Sequence, residues 1–216
     1  MKILVTGGAG FVGSHVAEYY ARKECDVTVF DALRRAEVLG KSTGDPLYNW
    51  NRLKNTYPRI KLVKNDVRNS QQVKDASEDA DVIVHAAAQV AVTASLGDPM
   101  MDFETNALGT FNVVEAARLN DADLIFCSTN KVYGENVNKI AVKEKGKRYH
   151  FVDEQYENGI PETFPIDLCR HTPYGCSKLA ADLYAQDYAY TYGLKTAVFR
   201  MSCIYGERQF GVEDQG

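Results

Sequence analysis

The segment TPYGCSKLAAD places Tyr174 and Lys178 four residues apart. At 3.6 residues per turn the two share one helix face. A free tyrosine titrates near ~10, too high for a base at neutral pH. A neighbouring ammonium favours the phenolate and pulls that value down, so the pair could move a proton. Such a pair also arises as a plain surface contact and gains meaning only with partners. One partner set is STNKVYG (128–134), where the strand-like run Asp123–Cys127 leads into two hydroxyls, Ser128 and Thr129.

A second set opens the chain. TGGAGFVGSH follows a short apolar run and opens a helical pattern, with Gly7, Gly10 and Gly13 spaced G-x-x-G-x-x-G and Phe11 and Val12 between them. A tight turn needs positive φ, and a pyrophosphate must approach backbone N–H groups at a helix N-terminus. Asp31 lies eighteen residues beyond Gly13, about where an acid meets an adenosine ribose. It would repel a 2′-phosphate, which favours NAD over NADP; Arg34 and Arg35 are a mild counter-signal. Asp66, with Val67 beside it in KNDVRN, is placed to reach an adenine amino group or is a strand-end turn residue. HAAAQ (85–89) leaves room at Ala86, Ala87 and Ala88 for a flat ligand, and His85 is expected to be packed.

The elements that must hold these residues alternate. Candidate strands are Lys2–Thr6, Asp26–Phe30, Ile60–Lys64, Asp81–His85, Asp123–Cys127 and Lys195–Arg200, separated by amphipathic stretches at Phe11–Lys23, Asp98–Asn120 and Thr172–Tyr192. That alternation predicts an α/β fold, a Rossmann-like doubly wound parallel sheet. Glu135–Pro165 lacks periodicity and reads as a long loop or small excursion at the carboxyl end of the fifth strand. The 216 residues are 45% hydrophobic with net charge −4, which allows a buried core and makes nucleic acid or an anionic membrane an unexpected partner. Five scattered cysteines without CxxC suggest reduced thiols, no metal site and a cytoplasmic chain.

Together TGGAGFVGSH, Asp31, NDVRN, HAAAQ, ETNALGT (104–110), STNKVYG, YGCSK and FRMSCIYG (199–206) resemble the extended short-chain dehydrogenase/reductase family, the nucleotide-sugar epimerases and dehydratases. The resemblance implies a catalytic triad of Thr129, Tyr174 and Lys178. It implies NAD as cofactor, held by the glycine loop, Asp31, Asp66, Val67, the alanines, Asn106, Ser128, Tyr174 and Lys178. Gln89, Asn130 and Cys203 fall at substrate-contacting positions. A CDP- or UDP-linked sugar would be the substrate, and a homodimer would form through helices 98–120 and 172–192.

The related 4,6-dehydratases carry Thr-Asp-Glu where this chain has Thr129-Asn130-Lys131, and an amide and an ammonium cannot replace that acid/base pair. The 4-epimerases usually place Asn where Cys203 stands. STNKVYG, GIPETFPID (159–167), YGCSK, SCIYGERQFGVEDQG (202–216) and YNWNRL (48–53) are most similar to the CDP-tyvelose (CDP-paratose) 2-epimerases. The implied reaction is a redox-neutral inversion at C2 through a keto sugar. Alternatives are a UDP-hexose 4-epimerase, another reductase or dehydratase of the family, and a non-catalytic dinucleotide-binding protein or inactive fragment. Family members continue for roughly a hundred residues more, so the C-terminal substrate subdomain is expected to be absent and 1–216 to be the cofactor domain.

Overall fold

The computed structural model describes residues 1–35, 37 and 44–210. Five strands come first: β1 (Lys2–Thr6), β2 (Asp26–Asp31), β3 (Lys61–Lys64), β4 (Val82–His85) and β5 (Asp123–Thr129). A separate antiparallel hairpin of β6 (Val142–Lys145) and β7 (Arg148–Phe151) precedes β8 (Thr196–Met201). The sheet order is β3-β2-β1-β4-β5-β8 and every neighbouring pair is parallel. This is the doubly wound, Rossmann-like arrangement expected from the alternation of elements. The order reverses between β1 and β4, and crevices at such a reversal are where open α/β sheets take ligands.

Two-residue periodicity explains how one strand serves two layers. Ile3 and Val5 pack with Val27, Val29 and Val84 against Ala17 of α1 (Phe11–Arg22) and Leu53 of α2 (Tyr48–Thr56). Leu4, between them, faces the opposite layer with Ile83, Leu124 and Phe126. That layer is closed by Val73 of α3 (Ser70–Ser77), Val113 and Val114 of α6 (Gly109–Leu119), and Ala181 and Ala185 of α7 (Thr172–Tyr192). Two short helices, α4 (Val92–Gly97) and α5 (Pro99–Phe103), lie between α3 and α6.

The stretch 98–120 is not one helix. Asp98 caps α5 by accepting the Met101 N–H at 3.0 Å, with Pro99 in the first turn. A π-helical turn, Glu104–Leu108, then joins α5 to α6. Inside it Asn106 is fully buried, its amide bonded to the Gln89 backbone, and such widened turns recur at functional sites.

The excursion after β5 also has structure of its own. A 3₁₀ stretch (Asn130–Lys139) precedes the hairpin, and Val132, Tyr133 and Phe164 form a small separate core. YNWNRL is α2, and its Arg52 joins Arg22, Tyr57 and Arg208 around the Glu18 carboxylate. Burial opposes ionisation of Glu18, but these donors outweigh it and bring the carboxyl down to about 2. The same carboxylate therefore ties the segment after β8 to α1. Among the described residues no helix is long and apolar enough to cross a membrane.

Candidate active site

Backbone contact sets the floor of the crevice. Gly7 turns out of β1 with φ +69, and a Cβ there would stand 2.5 Å from the Ala87 nitrogen. A Cβ on Gly13 would meet the Gly7 carbonyl oxygen at 2.2 Å. Any larger residue at either position would force the loop, α1 and the HAAAQ segment apart. Gly10 is the N-cap of α1, so the free N–H groups of its first turn lie at the crevice. At the end of β2, Asp31 accepts the Ala9 N–H at 2.9 Å and the Leu33 N–H at 2.8 Å. Burial holds its carboxyl above the usual range against those two donors.

The crevice is a cleft of about 630 Å³. It is lined by Gly7, Gly10, Phe11, Val12, Gly13, Asp31, Asp66, Val67 and Ala86–Ala88, and further along by Gln89, Ser128, Thr129, Asn130, Tyr174, Lys178 and Cys203. Of the site residues picked out in the sequence, Asn106 alone does not line it. Asp66 is engaged by Arg68 and lies 3.6 Å from Arg34. Burial raises the Asp66 carboxyl, but Arg68 and Arg34 outweigh it and the net shift is downward. Arg34 also pairs with Glu37, while Arg35 donates to the Phe210 carbonyl at 3.0 Å.

Tyr174 and Lys178 stand in the first turns of α7, both buried. Lys178 Nζ donates to the Cys127 carbonyl at 2.8 Å and sits 4.2 Å from the centre of the Phe126 ring. Burial pulls the ammonium down to about 8, against the opposing effects of Cys127, Asp182 and Asp102. The Tyr174 phenol is shifted upward, by burial first and by the Asp102 charge, while the Thr129 hydroxyl acts the other way. The fall expected for this phenol is that of the ammonium acting together with a bound, positively charged nicotinamide; in the protein alone burial sets the direction. His85 is packed as expected, bonded to Thr6 and Thr110 and brought down to about 3 by burial, with the Lys178 charge adding to it.

Several expected contact residues are turned inward. The Ser128 hydroxyl donates to Asp182 at 2.5 Å. The Gln89 side chain donates to the Ala91 carbonyl and to Asp102. Thr129 caps the turn that follows it by accepting the Lys131 N–H at 3.2 Å, and Asn130 and Cys203 face the cleft. Asp102, Asp182 and Arg200 were not picked out in the sequence. Arg200 binds both oxygens of the buried Asp182, at 2.9 and 3.1 Å, and joins α7 to β8. A signal for Asp182 existed: it follows Lys178 by four residues on a face that otherwise carries Ala181 and Ala185. Asp102 had none in its spacing. Among the described residues no three His, Cys, Asp or Glu are grouped to hold a metal ion.

The sequence matches the NAD dependent epimerase/dehydratase family over residues 3–215, and the chain belongs to that family. It is 42% identical to the CDP-paratose 2-epimerase of Salmonella typhi over 220 residues, covering 100% of this chain and 61% of that protein. Among solved structures it is similar to the UDP-glucose 4-epimerase of Thermus thermophilus in complex with NAD, at 33% identity and TM-score 0.72 over 97% of this chain and 57% of that one. It is also similar to DesIV, the dTDP-glucose 4,6-dehydratase of Streptomyces venezuelae with NAD and TYD bound, at 28% identity and TM-score 0.70 over 97% and 58%. The chain thus spans about three-fifths of the length of these relatives.

The buried Lys178 gives a pH signature. Its folded value lies below the ordinary 10.5, so the unfolded chain binds more protons between about 8 and 10.5 and stability rises across that window. The stability of Lys178→Met relative to the unsubstituted protein should therefore fall as pH rises from about 8 to 10.5, whichever of the two is more resistant to urea at pH 7. A difference in urea midpoint that does not change with pH would contradict the shift.

Proposed function

We propose that the protein is an NAD-dependent nucleotide-sugar epimerase that inverts C2 of a CDP-linked dideoxyhexose, as CDP-paratose or CDP-tyvelose. The observation that carries this is the make-up of the cleft beside Tyr174. Thr129, Asn130 and Lys131 line it, and the acids among its described lining residues are Asp31 and Asp66, in the glycine-loop half. A hydroxyl, an amide and an ammonium can orient and discharge a sugar oxygen. They cannot remove a carbon-bound proton and expel water in the way an elimination requires. The 42% identity to a CDP-paratose 2-epimerase points to the same chemistry.

NAD fits the residues present. The missing side chains at Gly7 and Gly13, which let the backbone pack closely, the open first turn of α1 and the small side chains of Ala86–Ala88 leave space for a dinucleotide's phosphates and rings. When bound, that cofactor supplies the hydride acceptor and donor. Asp31 would hold the adenosine ribose and Asp66 the adenine end. Tyr174 would take the proton of the reacting hydroxyl and give it back to the same oxygen when the sugar carbon is reduced again from its other face, with Thr129 holding that oxygen in both steps. Lys178, held by the Cys127 carbonyl, would keep a positive charge behind the phenol and reach the nicotinamide ribose. Asn106 would act from behind the cleft by fixing the backbone of Gln89.

Proton NMR of the intact protein with NAD and CDP-paratose or CDP-tyvelose should show inversion at C2 without net NADH. Tyr174→Phe should slow it by about 10²–10⁴-fold. Turnover of UDP-glucose at C4 alone, or unchanged turnover in Tyr174→Phe, would overturn the assignment.

We further propose a homodimer, supported by apolar side chains exposed on two neighbouring elements. The 98–120 segment packs beside α7. Met100, Phe103 and Leu108 on one, and Leu183, Tyr184 and Tyr190 on the other, are 41% to 88% exposed. Large apolar side chains exposed in this number on two adjoining elements suit an association surface. In sedimentation, the protein should run as a dimer and Phe103→Glu combined with Leu183→Glu as a monomer. An unsubstituted monomer would count against the pairing.

A further inference from the structure

Asp102 is fully buried on α5, outside the lining of the cleft. Side chains from three separate elements converge on its carboxylate. Gln89 Nε2, from the segment after β4, donates to Oδ1 at 3.0 Å, and Asn106 Nδ2, from the π turn, donates to the same oxygen at 3.0 Å. Ser177 Oγ, from α7, donates to Oδ2 at 2.5 Å. Ser177 stands between Tyr174 and Lys178 in the chain, and its hydroxyl also lies 3.1 Å from the Tyr174 carbonyl.

A buried carboxylate is costly unless it is paired or fully hydrogen-bonded. Asp182 has Arg200 bonded to it. Asp102 has no arginine or lysine bonded to it among the described residues, only the charge of Lys178 nearby. A buried carboxylate held by hydrogen bonds without a bonded cation, one of them from the residue before Lys178, is therefore the unusual feature of this layer; burial holds its carboxyl above the usual range against those bonds and the Lys178 charge.

We propose that Asp102 is a positioning residue: its carboxylate locks the Tyr174–Lys178 helix to the Gln89 wall of the cleft, and its negative charge sets the proton balance of the pair. The role rests on the reaction proposed above, in which Tyr174 must give back the proton it takes. A nearby anion opposes phenolate and favours ammonium, so its charge raises the proton affinity of both groups. The groups that face Lys178 are Cys127 of β5, His85 of β4, Asp102 of α5 and Asp182 on its own helix. His85 is neutral, burial keeps the Cys127 thiol protonated, and Asp182 is bonded by Arg200. That leaves Asp102 as the anion without a bonded cation. A phenol that ionised too readily would be a poor acid in the return step.

Asp102→Asn tests the charge while keeping the shape. The amide oxygen can still accept from Gln89 and Asn106, and its NH₂ can donate to the Ser177 oxygen. Lys178 is read directly by NMR of protein labelled with ¹³Cε-lysine, its signal assigned by loss in Lys178→Met. In Asp102→Asn it should titrate lower than in the unsubstituted protein, by more than about 0.3 units. In Ser177→Ala, which keeps the charge and loses one bond, it should stay within about 0.3 units of the unsubstituted value. An unchanged Lys178 titration in Asp102→Asn would overturn the proposal. A second reading needs no variant: the Asp102 side-chain carboxyl carbon, labelled with ¹³C, must show the ionised form at pH 7. A protonated carboxyl there would equally overturn it. These titrations require no sugar nucleotide. Failure to epimerise, with the Lys178 shift intact, would count against the proposed reaction and leave Asp102's role standing.

Discussion

How closely backbone can approach backbone at Gly7 governs the whole carboxyl end of the sheet. With no Cβ at Gly7 or Gly13, the β1 turn rests on Ala87, and α1 rests on the turn. The alanines that follow β4 keep the same surface low. From that one close approach come the open first turn of α1, the position of Ala9, and through Ala9 the bond that holds the Asp31 carboxylate. A parallel sheet supplies the crevice by its topology. The glycines decide that a long flat dinucleotide can lie in it.

The opposite half of the cleft is built on two buried carboxylates beneath one helix. Asp182, on α7 itself, is bonded by Arg200 of β8 and Ser128 of β5, and so fixes the helix to the sheet. Asp102, on α5, takes Ser177 of the same helix and fixes it to the segment after β4. Between these anchors Tyr174 faces Thr129, and Lys178 reaches the Cys127 carbonyl. Bonds to ionised groups are the stronger class of hydrogen bond. The geometry of Tyr174 and Lys178 is thus held from behind.

Much of this was legible in the sequence because it depends on short-range rules. Strands buried on both faces read as apolar runs, and β1, β2 and α7 lie within a residue of where periodicity placed them. The glycine loop was legible because only glycine satisfies both φ +69 and a neighbour at 2.5 Å. What was not legible depends on long-range partners. The π turn at Glu104–Leu108 has no glycine or proline to announce it, and Asn106 acts through Gln89, seventeen residues away. Helices α2, α3 and α4 are six to nine residues long, too short for a clear period. The β6–β7 hairpin turns on Gly146 at φ +69, but its strands are largely exposed and lack the apolar alternation that marks a buried face.

We propose that the cleft takes NAD with Asp31 at its ribose end. Calorimetric titration of the intact protein with NAD⁺ and then NADP⁺ tests that most directly. Asp31, bonded to Ala9 and Leu33, should make NAD⁺ bind at least about tenfold more tightly, roughly 1.4 kcal/mol. Equal or tighter binding of NADP⁺, or no binding of either, would contradict it.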